Sequence, residues 1–178
     1  HRRQLNIPFL GITGTNGKTT TKELVNAVLS SKFKTVATKG NLNNHIGVPL
    51  TILTIPTDTE IAIIEMGANH QHEIEGYCKV AMPNFAIINN CGKAHLEGFG
   101  SLEGVKKAKG ELYDYIRATN GTIFINNDLD YLQTMSAGIE HRITYSQFGN
   151  ANVVGKSISE NAFLKVAILN AGMETTIH

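Results

Sequence analysis

A glycine-rich segment near the N-terminus carries the residues best suited to bind phosphate. It follows the apolar run Ile7–Ile12 and precedes a stretch with apolar residues at helical spacing. Glycines let backbone N–H groups converge on phosphate oxygens, and the start of the next helix adds partial positive charge. In such a loop we expect Lys18 to contact the β- and γ-phosphates of ATP and the hydroxyl of Thr19 to ligate Mg²⁺. The predicted nucleotide-binding residues are Gly14, Thr15, Asn16, Gly17, Lys18, Thr19 and Thr20.

The glycine spacing of this loop departs from the general phosphate-loop pattern. The pattern Gly-x₄-Gly-Lys-Ser/Thr would place its first glycine at position 12, where this chain has Ile12, and the glycine occurs instead at Gly14. The alternative interpretation is a glycine-rich turn that joins a strand to a helix without binding a ligand. The intact Gly17-Lys18-Thr19 triplet between a strand and a helix favours phosphate binding.

Two further side chains follow apolar runs that are predicted to be buried strands. Glu65 comes directly after Ile61–Ile64, and His95 lies in the segment after Phe85–Ile88. In a parallel sheet the carboxyl ends of the strands share one edge, where ligands bind. Mg²⁺ prefers oxygen ligands, so Glu65 is a candidate metal ligand, whereas His95 could ligate metal or bind phosphate. The alternatives are a carboxylate that caps the next helix and an ordinary loop histidine.

The amphipathic pattern over Ser101–Arg117 contains a lysine on its apolar side. On a helical wheel, Lys109 falls inside the stripe formed by Leu102, Val105, Leu112 and Ile116. A lysine on a buried face needs a partner, a lowered pKa or a chemical modification. The alternative is a lysine whose aliphatic chain is covered while its ammonium group reaches solvent. Because Lys109 lies in the middle of the helix, we favour a functional role.

The segment Lys39–Pro49 is rich in glycine and asparagine, which predicts a loop and not a core element. Its side-chain amides, including those of Asn43 and Asn44, are suited to the recognition of a polar substrate. An ordinary connecting loop is the alternative, and the spacing of these residues does not exclude it.

The composition indicates one globular domain and argues against several other classes of protein. The chain has 178 residues, 42% of them hydrophobic, which is enough for one domain with a core. The net charge of +1 argues against a nucleic-acid or membrane-surface protein. No apolar run approaches the roughly 20 residues of a membrane span, so we expect a cytoplasmic protein. Cys78 and Cys91 fit buried residues in a reducing compartment better than a disulfide.

Strand and helix signals alternate along the first part of the chain. Strands are predicted at Ile7–Ile12, Ile61–Ile64, Phe85–Ile88 and Thr122–Ile125, and helices at 18–32, Glu73–Ala81 and Ser101–Arg117. This alternation predicts an α/β fold with a mostly parallel sheet flanked by helices over residues 1–138. Residues 139–178 contain the strand-like pieces Ile143–Ser146, Val153–Ile158 and Ala162–Leu169, which predict a small antiparallel extension. The abrupt ends at His1 and His178 indicate a piece of a longer protein.

Together these features resemble the central, ATP-binding domain of the Mur ligase family, and most closely its MurF type. The stretches that carry the resemblance are Gly14–Thr20, Gly40–Pro49, Glu65–Asn69, Ala94–Gly100 and Lys109–Glu111. The placement of Gly14, unusual for a general phosphate loop, is the usual one in this family. The second and fourth stretches favour the MurF type. The resemblance extends closely over about residues 7–137 and loosely over the tail.

The resemblance implies an ATP-dependent ligase of peptidoglycan synthesis that joins D-alanyl-D-alanine to UDP-N-acetylmuramoyl-tripeptide through an acyl phosphate. It also implies two Mg²⁺ ions beside the triphosphate. Lys18 would hold the phosphates, Thr19 and Glu65 would serve one Mg²⁺, and His95 would help to hold the second. Lys109 matches the family lysine that CO₂ carbamylates to an anionic Mg²⁺ ligand, which would account for a lysine on a buried face. The predicted catalytic residues are Lys18, Glu65, His95 and Lys109.

The resemblance also bears on the substrate and on the rest of the protein. It places Asn43, Asn44 and Asn69 where relatives contact the nucleotide–peptide substrate or a metal-bound water. The N-terminal UDP-binding domain and the C-terminal domain of the family lie outside this chain. We therefore expect the chain alone to be inactive as a ligase, and we expect the full-length enzyme to be a monomer.

Two other functions compete with this one. A folylpolyglutamate synthase shares the chemistry, although its loop typically continues Gly-Lys-Gly-Ser where this chain has Gly17-Lys18-Thr19-Thr20. Phosphate release with each set of substrates separates these two ligases. The second alternative is a non-catalytic nucleotide-binding module that signals or acts as a scaffold, although nothing in the sequence indicates a partner for it; ligation that survives Lys18→Ala in the full-length protein would contradict the role of the loop.

Overall fold

A computed structural model describes residues 1–93, 96–158, 166–170 and 173–177. Its strands are β1 (Phe9–Thr13), β2 (Thr35–Ala37), β3 (Ile61–Glu65), β4 (Phe85–Ile88), β5 (Thr122–Asn126), β6 (His141–Ser146), β7 (Val153–Ser157), β8 (Val166–Asn170) and β9 (Met173–Ile177). Its α-helices are α1 (Lys18–Ser30), α2 (Gly47–Leu53), α3 (Glu73–Ala81), α4 (Leu96–Phe99), α5 (Leu102–Ala118) and α6 (Asp130–Met135). The strands and helices predicted within residues 1–138 are confirmed, with ends that shift by two residues or fewer.

The described strands form one sheet in the order β2-β3-β1-β4-β5-β6-β7-β8-β9. Neighbouring strands are parallel from β2 to β7, and the pairs β7–β8 and β8–β9 are antiparallel. The predicted fold class, a mostly parallel sheet with a small antiparallel extension, is therefore confirmed.

The predicted boundary of the antiparallel extension at residue 139 is wrong. β6 pairs parallel with β5 because the short helix α6 returns the chain to the edge of the sheet at which β5 begins. β7 pairs parallel with β6 over Tyr145–Ser146 only, so it begins where β6 ends and needs no long crossover. Antiparallel pairing begins at β8; the first residues of the predicted strand Ala162–Leu169 lie outside the described part of the chain.

Alternate residues of the strands pack on opposite faces of the sheet. On one face, Phe9, Ile64 and their neighbours pack against helices α2, α3, α5 and α6. On the other face, Leu10, Ile12 and Ile63 pack against helix α1. Because side chains alternate along a strand, Glu65 points to the same side as Ile63, toward α1. This parity decides which helix the carboxylate at the end of β3 can contact.

The face that carries α1 is only partly covered within the described residues. Right-handed crossovers place α1 on this face because the chain moves from β1 toward β2, whereas the later crossovers move the other way. An apolar groove of 620 Å³ therefore lies beside α1 over β4 and β5, lined by residues such as Phe85 and Phe124. Leu24 is 60% exposed and Val28 is 66% exposed, although both belong to the apolar residues that recur at helical spacing over residues 18–32.

Several short elements lie in segments for which no helix or strand was predicted, namely α2, β2, α4, α6 and β9. Helix α2 begins at Gly47, inside the polar segment that was predicted to be a loop, and Val48 is fully buried there. Strand β2 adds an edge to the sheet beside β3. Cys78 and Cys91 are free and buried, as expected, and burial raises their thiol pKa to about 12 and about 11. Every helix in the described residues is too short or too polar to span a bilayer.

Candidate functional site

The glycine-rich loop occupies the predicted position between β1 and α1. Gly14 has φ 149° and Gly17 has φ 77°, both in the region that favours glycine. A Cβ atom at Gly14 would also lie 3.0 Å from the Cβ of Asn89, so the backbone passes close to the end of β4. The first glycine of the loop is therefore needed at position 14, and the fully buried Ile12 belongs to strand β1.

Two asparagines that follow β4 support this loop. The backbone N–H of Asn16 donates to Asn90 Oδ1 at 3.0 Å, and that of Thr15 donates to the Asn90 carbonyl at 3.0 Å. Asn89 Nδ2 donates to Thr21 Oγ1 in the first turn of α1 at 2.9 Å. The ends of β1 and β4 are therefore joined by direct hydrogen bonds, as expected for neighbouring strands of a parallel sheet.

Lys18 lies along the loop that precedes it. Its Nζ donates to the carbonyls of Gly14 at 2.8 Å and Thr15 at 3.0 Å. Burial lowers the pKa of Lys18, and the nearby charge of Glu65 partly offsets this effect. The ammonium group is thus held over the mouth of the loop, where a bound phosphate could replace the two carbonyl contacts.

Glu65 presents a buried carboxylate with two unequal oxygen atoms. Its Oε1 accepts hydrogen bonds from Thr19 Oγ1 at 3.2 Å and from Asn43 Nδ2 at 2.7 Å. Its Oε2 is buried and has no hydrogen-bond partner among the described residues. An unpaired buried oxygen beside a threonine hydroxyl fits a hard cation such as Mg²⁺, which takes oxygen ligands. The residues present therefore fit the predicted metal site.

The three asparagines predicted to contact substrate lie together but have different surroundings. Asn43, Asn44 and Asn69 line one cavity. Asn43 is bound to Glu65, whereas Asn44 Oδ1 accepts the N–H groups of Ile46 and Gly47 at the start of α2. The N–H of Asn69 donates to the carboxylate of Glu73 at 2.7 Å.

Lys109 is buried, as the helical wheel predicted, with 2% of its surface exposed. Its Nζ donates to the carbonyl of Ala68 at 3.2 Å and lies 5.3 Å from the centre of the Phe99 ring. Burial, followed by the charge of Lys18, lowers the pKa of Lys109 to about 8, although Glu73 among others opposes this shift. The amine is therefore half uncharged near pH 8 and mostly uncharged at higher pH.

One cavity of 310 Å³ joins these parts of the site. It lies between the glycine-rich loop Gly14–Thr20, from here on called the phosphate-type loop, the asparagine-rich segment Lys39–Pro49 and helix α5. Its lining includes Gly14, Thr15, Lys18, Asn43, Asn44, Asn69 and Lys109. Thr19 and Glu65 adjoin it through the bond from Asn43. His95 lies outside the described residues. Within the described part of the chain, no group of three or more His, Cys, Asp and Glu residues is arranged to hold a metal.

The sequence reasoning missed two residues that complete the site. Lys22 in α1 is fully buried, and Thr38 just after β2 is 1% exposed. The backbone N–H of Glu65 donates to Thr38 Oγ1 at 3.0 Å, and Lys22 Nζ donates to the Thr38 carbonyl at 2.7 Å. A signal for Lys22 was present, because it precedes Val25 and Leu29 at helical spacing, and these two residues do face the sheet.

A second contact orients the segment that carries Asn69. Glu111 on α5 accepts the N–H groups of His72 at 2.6 Å and Glu75 at 3.0 Å, at the start of α3. Glu73 accepts those of Asn69 and His70. Two carboxylates thus satisfy amide groups at the start of α3. Glu111 ties α3 to the helix that bears Lys109, and Glu73 holds the segment of Asn69 against the start of its own helix.

These features are those of an α/β nucleotide-binding protein. The phosphate-type loop follows strand β1, and the carboxylate of Glu65 ends the neighbouring strand β3. The chain belongs to the Mur ligase family, because the family model described as the Mur ligase middle domain matches residues 12–176.

Individual relatives agree with this family. The chain is 46% identical over 127 residues to the UDP-N-acetylmuramoyl-tripeptide--D-alanyl-D-alanine ligase of Escherichia coli, covering 71% of this chain and 28% of the relative. The MurF ligase of Thermotoga maritima in complex with ADP superposes with a TM-score of 0.87 at 29% identity, covering 99% of this chain and 42% of that one. The expected resemblance to the MurF type is therefore confirmed.

A more distant likeness bears on the folylpolyglutamate synthase alternative. The folylpolyglutamate synthase of Mycobacterium tuberculosis superposes with a TM-score of 0.62 at 14% identity, covering 93% of this chain and 48% of that one. At this identity the likeness is one of fold alone. The chain spans less than half the length of each of these three relatives.

Lys109 should make the stability of the chain depend on pH in alkaline solution. Its pKa is about 8 in the folded chain against the usual 10.5, so between these values the unfolded chain holds more protons. Below pH 8 both states are protonated and the cost of burying the charge is fully present; above it this cost is relieved. The free energy of unfolding, relative to that of Lys109→Met, should rise by up to about 3 kcal/mol between pH 8 and 10.5.

Urea unfolding in CO₂-depleted buffer measures this difference. The matched control is Lys107→Met, which removes an exposed lysine from the same helix. A difference between wild type and Lys109→Met that stays constant over this pH range would contradict a buried amine at the position.

Proposed function

We propose that this chain is the ATP- and magnesium-binding part of a ligase that joins D-alanyl-D-alanine to UDP-N-acetylmuramoyl-tripeptide. In this reaction the peptide carboxylate takes the γ-phosphoryl group of ATP, giving an acyl phosphate and ADP. The amine of D-alanyl-D-alanine then attacks the acyl carbon, loses a proton and displaces phosphate. As the sequence resemblance implies, the complete enzyme acts as a monomer in the cytoplasm.

The observation that carries this proposal is the unpaired Oε2 of Glu65 beside the phosphate-type loop. A loop that only binds phosphate needs no buried carboxylate, since the negative charge would oppose the phosphates without a cation between them. The arrangement therefore favours a metal–nucleotide complex over a simple anion. The E. coli and T. maritima relatives, one named for this ligation and the other solved with ADP, support the same assignment.

The residues of the chain divide the work on the nucleotide. The loop amides and Lys18 bind and orient the β- and γ-phosphates, which holds the γ-phosphoryl group for in-line transfer. Thr19 Oγ1 and Glu65 Oε2 would hold one Mg²⁺, with Asn43 keeping the Glu65 carboxylate in one orientation. When bound, Mg²⁺ ions offset charge on the triphosphate and on the transferring phosphoryl group. Asn44, Asn69 and His95 are assigned to the peptide substrate and the second ion.

We also propose that Lys109 becomes a carbamate that serves the second Mg²⁺. The ammonium group first loses one proton, and the uncharged amine then attacks CO₂, forming an N–C bond and releasing a second proton. The two steps convert a buried cation into a carboxylate-like anion. The position of Nζ supports this assignment, since it lies against the Ala68 carbonyl in the wall of the cavity that Lys18 also lines. The lowered pKa is the property that such an amine requires.

Nucleotide binding to the 178-residue chain tests the loop and the metal site. Lys18→Ala should weaken the binding of Mg²⁺·ADP at least about tenfold in calorimetry, because it removes a charge-assisted contact to phosphate. Glu65→Gln should instead abolish the gain in affinity that Mg²⁺ gives over ADP in EDTA. Lys32→Met, an exposed lysine just beyond α1, is the matched control and should bind as the wild type does. Unchanged affinity in Lys18→Ala would contradict the proposal.

Substrate dependence separates the ligase from its alternatives. The complete enzyme that contains this chain should release phosphate from ATP only when UDP-N-acetylmuramoyl-tripeptide and D-alanyl-D-alanine are both present. Release with a folate and glutamate instead would establish the folylpolyglutamate reaction. Binding of nucleotide with no release under either condition would identify a non-catalytic module.

The carbamate has a direct spectroscopic signature. With ¹³C-bicarbonate in the buffer, the wild-type chain should show a carbamate carbon resonance that Lys109→Ala lacks and Lys107→Ala retains. Mg²⁺·ADP should strengthen the signal, because metal coordination stabilises the anion. A wild-type spectrum identical to that of Lys109→Ala would return Lys109 to a structural role.

A further inference from the structure

A buried lysine lies behind the proposed metal ligand. Among the residues of α1, all of which the structure describes, Lys22 alone is buried. It sits near the N-terminal end of the helix, where the helix dipole disfavours a cation. Burial and the dipole both oppose a lysine at this position, so a specific interaction must offset them.

The contacts of Lys22 identify that interaction. Its Nζ donates to the Thr38 carbonyl at 2.7 Å and lies 2.8 Å from Glu23 Oε1. The same Nζ lies 3.9 Å from Glu65 Oε2. Glu23 is 61% exposed, so solvent can satisfy its carboxylate without Lys22, whereas the Glu65 carboxylate is 1% exposed. The buried anion is therefore the group that depends most on this cation.

The geometry also shows how the pair avoids blocking the site. Glu65 Oε2 has no hydrogen-bond partner even though Lys22 is near, because the ammonium group lies 3.9 Å away and contacts the Thr38 carbonyl and Glu23 Oε1 instead. Thr38 in turn holds the Glu65 backbone through its hydroxyl. Thr38 therefore contacts both partners: its carbonyl accepts a hydrogen bond from the Lys22 ammonium group, and its hydroxyl accepts one from the Glu65 backbone N–H.

We propose that Lys22 is a positioning residue that supplies the countercharge of Glu65 while leaving Oε2 free to ligate a metal. Lys22 balances the buried carboxylate in the metal-free chain, so the strand end folds in its binding geometry before the cation arrives. Because Lys22 and a metal ion face the same oxygen, each should reduce the stabilisation that the other provides. The competition between Lys22 and a metal ion rests on the proposed function of Glu65, whereas the charge pairing of Lys22 with Glu65 does not.

A double-mutant cycle on the metal-free chain tests the charge pairing. Lys22→Met should lower the melting temperature by at least about 5 °C in EDTA, because it leaves a buried carboxylate unbalanced. In the Glu65→Gln background the same change should lower it by less than half as much, since the charge to be balanced is gone. The lost bond to Thr38 is common to both backgrounds and cancels. Lys32→Met controls for the loss of an exposed charge.

Each outcome of the cycle decides the proposal. A shift in the Glu65→Gln background that is half or more of the shift in the wild-type background would show that Lys22 mainly anchors α1 to Thr38, and this would overturn the proposal. If Lys22→Met alone fails to fold, recovery of a cooperative melt in Lys22→Met/Glu65→Gln supports the pairing, and failure of both variants overturns it.

Metal addition then separates this inference from the proposed function. Mg²⁺ with ADP should shrink the deficit in melting temperature of Lys22→Met relative to wild type, whereas ADP in EDTA should leave it unchanged. A positive cycle with a deficit that Mg²⁺ does not change would contradict Glu65 as the metal ligand and leave the charge pairing standing. A negative cycle overturns the pairing whatever Mg²⁺ does.

Discussion

The buried carboxylate of Glu65 is the constraint on which the site depends. An anion without solvent contact is costly unless other groups compensate it, and four residues do so here, two from helix α1 and two from the segment after β2. Thr19 and Asn43 bind one oxygen, Thr38 binds the backbone, and Lys22 lies near the second oxygen. Of the two carboxylate oxygens, only Oε2 is left without a hydrogen bond, and this is the oxygen that a metal would bind.

The parallel sheet is what brings these groups together. β1 and β3 are neighbours, so the loop after β1 and the carboxylate at the end of β3 lie side by side at one edge. The two-residue period of β3 points Glu65 toward α1, while Lys109 approaches from α5 on the opposite face. Lys18, held over the loop by the carbonyls of Gly14 and Thr15, is the cation placed to meet a phosphate group there.

Most of the fold could be predicted from the sequence because strongly periodic segments leave little choice. The buried strands and the helix around Lys109 are of this kind, and the wheel placed Lys109 correctly. Short elements gave weaker signals: β2 has three residues, and α2 follows a polar loop and was missed. The direction of β6 depends on the short helix α6, for which local composition gave no decisive pattern. The apolar residues of a strand and the turn residues beside it do not determine whether that strand runs parallel or antiparallel to the strands next to it.

The site was predictable as a set of strand ends but not as a set of contacts. The positions of Lys18, Thr19 and Glu65 followed from one loop and one apolar run. The hydrogen bond from Asn43 to Glu65 joins residues far apart in sequence, so no local sequence pattern predicts it. Lys22 was overlooked because the apolar residues at helical spacing in α1 include Leu24 and Val28, and the structure exposes both. Only part of that apolar set faces the sheet.

The most direct test of the account is the location of a metal ion beside Glu65. Crystals of the chain grown with Mn²⁺ and a non-hydrolysable ATP analogue would locate it by anomalous scattering. The account predicts a peak within about 2.5 Å of Glu65 Oε2 and close to Thr19 Oγ1, with the phosphates held in the loop of Lys18. A metal bound by the phosphates alone, with Glu65 Oε2 still free of any ligand, would contradict it.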